Sequence, residues 1–301
     1  MSNKKHVYEP RIVANSDNMD VGGLIIPATN TLTALLYGFR HHESNKAKEY
    51  FFWRLCDELW NHDELPEKMM VKHPWATEMI KAVIANRYVS IGGAASSGKS
   101  HTMAAWGILN WLAAPRDTLV LLTSTTLREA RKRIWGSVIS LLSVIEGAPL
   151  KVRDSIGNVA YINEQGNLIE RAGLSLIAAE RSKTREAVGK FIGIKQKRVI
   201  LIGDELAELS EAILQAGLSN LSKNPYFQLI GMSNPSSRFD AFGIWSEPKH
   251  GWDSVDTNID DRWKTKWGGQ YVRFDGERSP NIVAGEDVYP WLPTQTKLDE
   301  D

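Results

Sequence analysis

The sequence predicts an α/β fold, a mostly parallel central sheet flanked by helices, with a helical segment in front of it. Three observations carry this. From Tyr88 to Met232, short apolar runs alternate with helical patterns, as strands joined by crossover helices do. A loop of small residues, Gly93-Ala94-Ala95-Ser96-Ser97-Gly98-Lys99-Ser100, separates the first such run from its helix. A later run, Val199 to Gly203, ends in the acid pair Asp204-Glu205.

The elements follow in order. Residues 1–85 are expected to form an N-terminal arm and a helical segment packed on the core. The arm, to about residue 30, is mostly polar and irregular. Leu32, Leu35, Leu36 and Phe39 then share one helix face, and Phe51, Phe52, Leu55 and Leu59 another. A third helix spans about 74–85. Residues 86–250 are expected to be the core domain. Tyr88 to Ile91 reads as a buried strand, and His101 to Ala114 as a helix stopped by Pro115. Thr118 to Thr123 is a strand, and residues 124–146 one long helix with Gly147 past its end. A hairpin turns at Asn163-Glu164-Gln165-Gly166, before a strand over 174–178. Strands over 198–203 and 227–232 flank a helix over 210–221. Residues 251–301, rich in Gly, Pro and Trp, are expected to be sheet edge and linker.

Composition narrows the function classes. Charged residues make up 24% and apolar residues 43%, which places the chain among ordinary globular domains. Lys+Arg and Asp+Glu balance at 36 each, so the net charge is zero. A free nucleic-acid-binding domain is usually basic overall. Contact with DNA or RNA must therefore come from a local patch or from surfaces completed by other subunits. The one cysteine, Cys56, excludes an intrachain disulfide and fits a reducing cytoplasm. The first six residues lack the apolar core of a signal peptide, and no run approaches the ~18 apolar residues of a membrane span. A soluble intracellular protein without membrane contact is the expectation.

The small-residue loop matches the phosphate-binding pattern Gly-x-x-x-x-Gly-Lys-Ser/Thr in its strand–loop–helix setting. Small residues let the backbone N–H groups of 93–101, His101 included, wrap a phosphate, and the helix N-terminus adds a favourable dipole. In such a loop Lys99 reaches the β- and γ-phosphates, and the Ser100 hydroxyl ligates Mg²⁺. The strand ending in Asp204-Glu205 has the form of a Walker B element. Asp204 at the strand tip holds Mg²⁺, directly or through water. Glu205 orients and deprotonates an attacking water. Without the loop upstream, the same residues would read as a strand entering a polar turn. Together they imply a RecA-like P-loop NTPase of the type with an added strand and a catalytic glutamate. The strand over 227–232 ends in Ser233-Asn234-Pro235, either a plain turn or a pair that senses the γ-phosphate.

With these motifs in place, the chain resembles the ATPase domain of the large terminase subunit, the DNA-packaging motor of tailed bacteriophages. The most specific stretches are Gly189-Lys190-Phe191-Ile192-Gly193, Val199 to Leu209, Gly231 to Asp240 and Phe274 to Asn281. The resemblance implies ATP and Mg²⁺ as cofactors, with Lys99 and Ser100 on phosphate and Mg²⁺, Asp204 on Mg²⁺, Glu205 catalytic, and Ser233-Asn234 as coupling motif. It implies double-stranded DNA, a homo-oligomeric ring, a portal protein and a small terminase subunit as partners, in the host cell cytoplasm during virion assembly. Family members generally carry an RNase H-like nuclease after the ATPase. That domain would begin about where this sequence ends, so it is expected to have been cut away or to lie on another chain. No nuclease activity is expected of these residues. Two departures stand out. Ala94 and Ala95 occupy the region where many members place an arginine. The stretch His73-Pro74-Trp75-Ala76 lacks the glutamine that reads adenine, leaving Trp75 as a base-stacking or a core residue.

Phosphoryl transfer is accelerated by an arginine, often supplied by a neighbouring subunit. Arg128, Arg131 and Arg133 cluster after the strand over 118–123. Arg128, nearest the strand end, is the first choice; a solvated helix face is the alternative. Residues 181–200 hold seven cations against Glu186, a local charge of +6. There Lys190, Lys195 and Lys197 are candidates to grip a phosphate backbone. The competing classes are a helicase-like remodelling ATPase, a P-loop phosphotransferase and a nucleotide-binding module without turnover.

Overall fold

The computed structural model describes residues 12–15, 18–21, 24–26, 31–179, 184–189, 191 and 193–300. Three short strands, β1 (Ile12–Asn15), β2 (Asn18–Val21) and β3 (Leu24–Ile26), form an antiparallel meander in a segment expected to be irregular. Strands of three or four residues are too short to show a period in sequence. The helices α1 (Thr31–His41), α2 (Asn45–Trp60) and α3 (Pro74–Ala85) follow. Their apolar faces bury Leu35, Phe39, Phe51, Phe52, Leu55 and Leu59.

The body alternates β4 (Tyr88–Gly93), α4 (Lys99–Leu112), β5 (Thr118–Ser124), α5 (Leu127–Lys132), α6 (Ile134–Ser143), β6 (Leu150–Arg153), β7 (Asn158–Ile162), β8 (Leu168–Ala178) and α7 (Thr184–Gly189). It continues with β9 (Arg198–Gly203), α8 (Glu211–Leu221), β10 (Phe227–Ser233), α9 (Ala241–Ser246), β11 (Arg262–Lys264), β12 (Gln270–Phe274), α10 (Pro280–Ala284) and α11 (Gln295–Glu300). Nine strands form one sheet in the order β11-β12-β4-β10-β9-β5-β8-β7-β6. The pairs from β12 through β8 are parallel, and the pairs at both ends are antiparallel.

Period-two alternation divides the central strands between two cores. Val120, Leu122, Ile200 and Ile202 face α1 to α4 and α6. Leu119, Leu121, Val199 and Leu201 face α8 and α9. A sheet covered on both faces explains why these strands read as unbroken apolar runs.

Two elements differ from the expectation. The helix expected over 124–146 is broken at Arg133, whose φ of −114° and ψ of −110° separate α5 from α6. Gly136 permits the tight approach, since a Cβ there would lie 2.6 Å from the Arg131 carbonyl oxygen. Of the expected edge and linker over 251–301, the edge is formed by β11 and β12, with β12 paired in parallel with β4, and it is the linker that differs. The chain then folds back, burying Leu292 fully. There Asn281 donates to the Tyr289 carbonyl at 2.8 Å.

Candidate nucleotide site

The site lies where β4, β9 and β10 end on the same edge of the sheet. Parallel pairing brings this about: Gly92 is in register with Ser233, and Gly203 with Gly231. Side chains at the three strand ends therefore converge. The loop after β4 turns through two left-handed residues, Ser96 (φ 58°) and Gly98 (φ 80°). For Ser96 that conformation is unusual, and backbone strain of this kind concentrates at ligand-holding turns. Gly93 meets β12 so closely that a Cβ would sit 2.9 Å from the Phe274 carbonyl oxygen.

Lys99, at the start of α4, is 8% exposed and turned back over the loop. Its Nζ donates to the carbonyls of Gly93 and Ala94, both at 2.8 Å, and lies 3.1 Å from Ser97 Oγ and from Asn234 Oδ1. Burial lowers its pKa to about 8, with the charges of Glu205 and Asp204 pulling the other way. Ser100 Oγ donates to Asp204 Oδ1 at 2.9 Å. Asp204 is 2% exposed, and its backbone N–H is taken by the Thr123 carbonyl at 2.9 Å. Burial raises its pKa to about 6, helped by Glu205 and opposed by Ser100, Arg133 and Lys99.

The second oxygen of Asp204, Oδ2, is buried with no hydrogen-bond partner among the described residues. An orphaned carboxylate oxygen beside a serine hydroxyl is the donor set a divalent cation would complete. Among the described residues, no three His, Cys, Asp or Glu side chains are placed to hold a metal ion by themselves. A cation held by Ser100 and Asp204 would therefore need further oxygens from a ligand, as Mg²⁺ on a polyphosphate has. The residues present fit Mg²⁺ in that form.

Glu205 takes a left-handed backbone (φ 52°), and its side chain reaches Arg133 at the break between α5 and α6. One carboxylate oxygen lies 3.4 Å from Arg133, and the other accepts from Ser233 Oγ at 3.3 Å. Ser233 Oγ also accepts from the Ala207 N–H at 3.3 Å, tying the β10 end to the turn after Glu205.

The base of the loop is propped by α3. His73 caps that helix, accepting the Ala76 N–H at Nδ1 (3.2 Å). Burial, then the neighbouring His101, lowers its pKa to about 4, so it is neutral at pH 7. Beside it, a cavity of about 460 Å³ opens against Met69, His73, Gly98, His101, Thr102 and Trp291.

No protein-family model matches the chain, and no curated protein does. Among solved structures, a point-mutant ATPase domain of the large terminase of Thermus phage P74-26 aligns with a TM-score of 0.51 at 14% identity. The alignment covers 77% of this chain and 87% of that one. This chain has the fold of a large-terminase ATPase domain. The same phage domain in a second structure aligns over 74% of this chain and 84% of that one, at 14% identity and a TM-score of 0.49. A large terminase of a thermophilic bacteriophage, solved with ADP, aligns over 64% of this chain and 41% of that one, at 13% identity and a TM-score of 0.42.

Within this terminase-type fold, Lys99, Ser100, Asp204, Glu205, Ser233 and Asn234 meet in three hydrogen-bonded pairs, Lys99–Asn234, Ser100–Asp204 and Glu205–Ser233, at neighbouring strand ends. Trp75 is 8% exposed and packs on Phe274 with ring centroids 5.6 Å apart, in the core. Arg128 stays exposed on α5, and the arginine that meets Glu205 is Arg133. Its signal was the Arg128–Arg133 cluster, but only the helix break selects one member. Lys195 and Lys197 are exposed at the opposite edge of the sheet, before β9. Lys190 lies outside the described residues. No helix among the described residues is long and apolar enough to cross a membrane.

Proposed function

We propose that the chain hydrolyses ATP as the motor domain of a large terminase subunit, driving double-stranded DNA into a procapsid. The observation that carries this reading is the Ser100–Asp204 hydrogen bond beside a buried, unpartnered Asp204 oxygen. It joins the phosphate loop to the acid pair and leaves one ligand position open between them. The fold shared with a terminase ATPase domain supports the motor reading over a phosphotransferase.

The backbone N–H groups of 94–100 wrap the polyphosphate, and the N-terminus of α4 favours its charge. Lys99 exchanges the Gly93 and Ala94 carbonyls for the β- and γ-phosphate oxygens. The nucleoside enters the cavity between His73 and Trp291. Ser100 and Asp204 would hold Mg²⁺, which would supply positive charge against the charge developing on the leaving group. Glu205 accepts a proton from water as that water bonds to the γ-phosphorus. The bond to the β,γ-bridging oxygen breaks, its electron pair leaves with ADP, and inorganic phosphate is formed. Ser233 touches Glu205 and Asn234 touches Lys99. The pair therefore responds when the γ-phosphate departs. In this reading the chain works in a homo-oligomeric ring in the host cytoplasm, with a portal protein and a small terminase subunit.

Glu205→Gln tests the assignment. The variant should bind a non-hydrolysable ATP analogue with Kd within about threefold of the parent, while phosphate release falls by about a hundredfold or more. Undiminished phosphate release by that variant would sink the reading.

A further inference from the structure

The edge of the sheet opposite the phosphate loop carries a second concave feature. The residues just before β4 and β5 and the first residues of β9 and β10 surround a cavity of about 490 Å³. Six-residue strands place it about 20 Å from the phosphate loop. Its wall holds Arg40, Lys48, Arg87, Lys197 and Arg198, with Asp117 as the one carboxylate. In a chain whose charges balance, five cations against one acid is a marked local excess.

Some of those cations are already used. Arg87 donates to the carbonyls of Phe227, Ser222 and Asn224. Asp117 is divided between Arg40 at 3.1 Å and Lys197 at 3.6 Å. Arg198 and Lys48 remain. The Arg198 guanidinium, with five N–H donors, has one side-chain acceptor among the described residues, the neutral Asn110 Oδ1. The Lys48 ammonium has neither a hydrogen bond nor an ion pair there, and the carboxylate acting on its charge is Glu43 on the adjoining turn. Burial and the Arg40 charge lower the Arg198 pKa to about 10, and burial and Arg198 lower that of Lys48. Each cation therefore destabilises the next, the condition a bound anion relieves.

We propose that this cavity, centred on Lys48, Arg198 and Arg40, is a second anion site that binds a phosphate group. A phosphate carries close to two negative charges with three or more acceptor oxygens, which matches a guanidinium fork beside an ammonium. The cavity is larger than one phosphate. Tyr226, 60% exposed, lines it and presents a ring on which a base can stack. The phosphate is supplied either by a free nucleotide or by the backbone of a nucleic acid strand. The inference is independent of the nucleotide reading at the other edge.

The test uses Lys99→Ala protein, so that the phosphate loop is silenced. Calorimetry at low salt, with inorganic pyrophosphate as probe, should give one site per chain. Adding Lys48→Gln should weaken it at least tenfold, and adding Lys151→Gln, an exposed lysine on β6, should leave it unchanged. An unphosphorylated eight-nucleotide single strand identifies the source. Binding that Lys48→Gln abolishes and pyrophosphate competes away assigns the site to backbone phosphate. Pyrophosphate binding with no Lys48-dependent strand binding assigns it to a free anion. If neither probe binds, or Lys48→Gln and Lys151→Gln weaken binding equally, the site does not exist. Lys197→Gln, at the cavity mouth, gives a second reading should Lys48→Gln misfold.

Discussion

Three side chains set the chemistry of the candidate site, and each makes a separate claim. Lys99 has its pKa lowered to about 8 by burial, and a bound polyphosphate favours its charged form. Above pH 8, nucleotide binding must therefore take up a proton. The Kd for ADP should rise with pH above that point, approaching tenfold per pH unit, while Lys99→Arg should give a flat profile. Titrations from pH 6.5 to 9.5 check this. Asp204, raised to about 6, binds a proton in the fold that the unfolded chain has released near pH 4. Stability on its account falls as pH rises from about 4 to 6 and stays low above that. Asp204→Asn should therefore raise Tm at pH 7 by about 2–5 °C, raise it less at pH 5, and abolish Mg²⁺-dependent hydrolysis. Function held at the expense of stability is the physical content of that pair of results. Arg133 holds the Glu205 carboxylate at 3.4 Å in a pair only partly shielded from water. Such a pair contributes about 1 kcal/mol or less. If it restrains Glu205, Arg133→Gln should raise turnover in the absence of DNA by up to about fivefold. A fall of tenfold or more would instead place Arg133 on the transition state.

The break between α5 and α6 is what aims Arg133, and Gly136 is what allows the break. A methyl group at Gly136 would press on the Arg131 carbonyl at 2.6 Å. Backbone yields less readily than a side chain, so Gly136→Ala should destabilise by about 1–3 kcal/mol. It should also shift DNA-free turnover in the same direction as Arg133→Gln; denaturant unfolding and phosphate release measure the two effects. The break also shows where sequence reading stops. Leu127, Ala130, Ile134 and Val138 keep helical spacing straight through Arg133, so the period carries no trace of it. By contrast, the strand–turn–helix over 88–112 and the strand ending before Asp204-Glu205 were legible because each is a contiguous pattern whose geometry is local. The central strands were legible because both their faces are buried. The position of β12 beside β4 was not legible, since it depends on pairing between residues about 180 apart in the chain. Neither was the N-terminal meander, whose strands are too short to repeat.

At the scale of the whole molecule, the two edges of the sheet separate the chemistry. The acid pair and the phosphate loop share one edge, and the cationic cavity with Lys197 occupies the other. A chain of zero net charge holds DNA weakly by itself, so ring assembly matters to the proposed motor. A ring also allows an arginine from one subunit to serve the next, and Arg128, exposed on α5, is free to cross a boundary. Mixing tests this directly. Arg128→Ala subunits keep Glu205, and Glu205→Gln subunits keep Arg128, so each alone should be nearly inactive in DNA-stimulated hydrolysis. In a one-to-one mixture, random neighbours place an intact glutamate against an intact arginine at roughly a quarter of the interfaces. Turnover should recover to about that fraction of the parent's. No recovery, with Arg128→Ala inactive alone, would mean that Arg128 acts within its own chain. Full activity of Arg128→Ala alone would remove it from the reaction and leave Arg133 as the arginine nearest the chemistry.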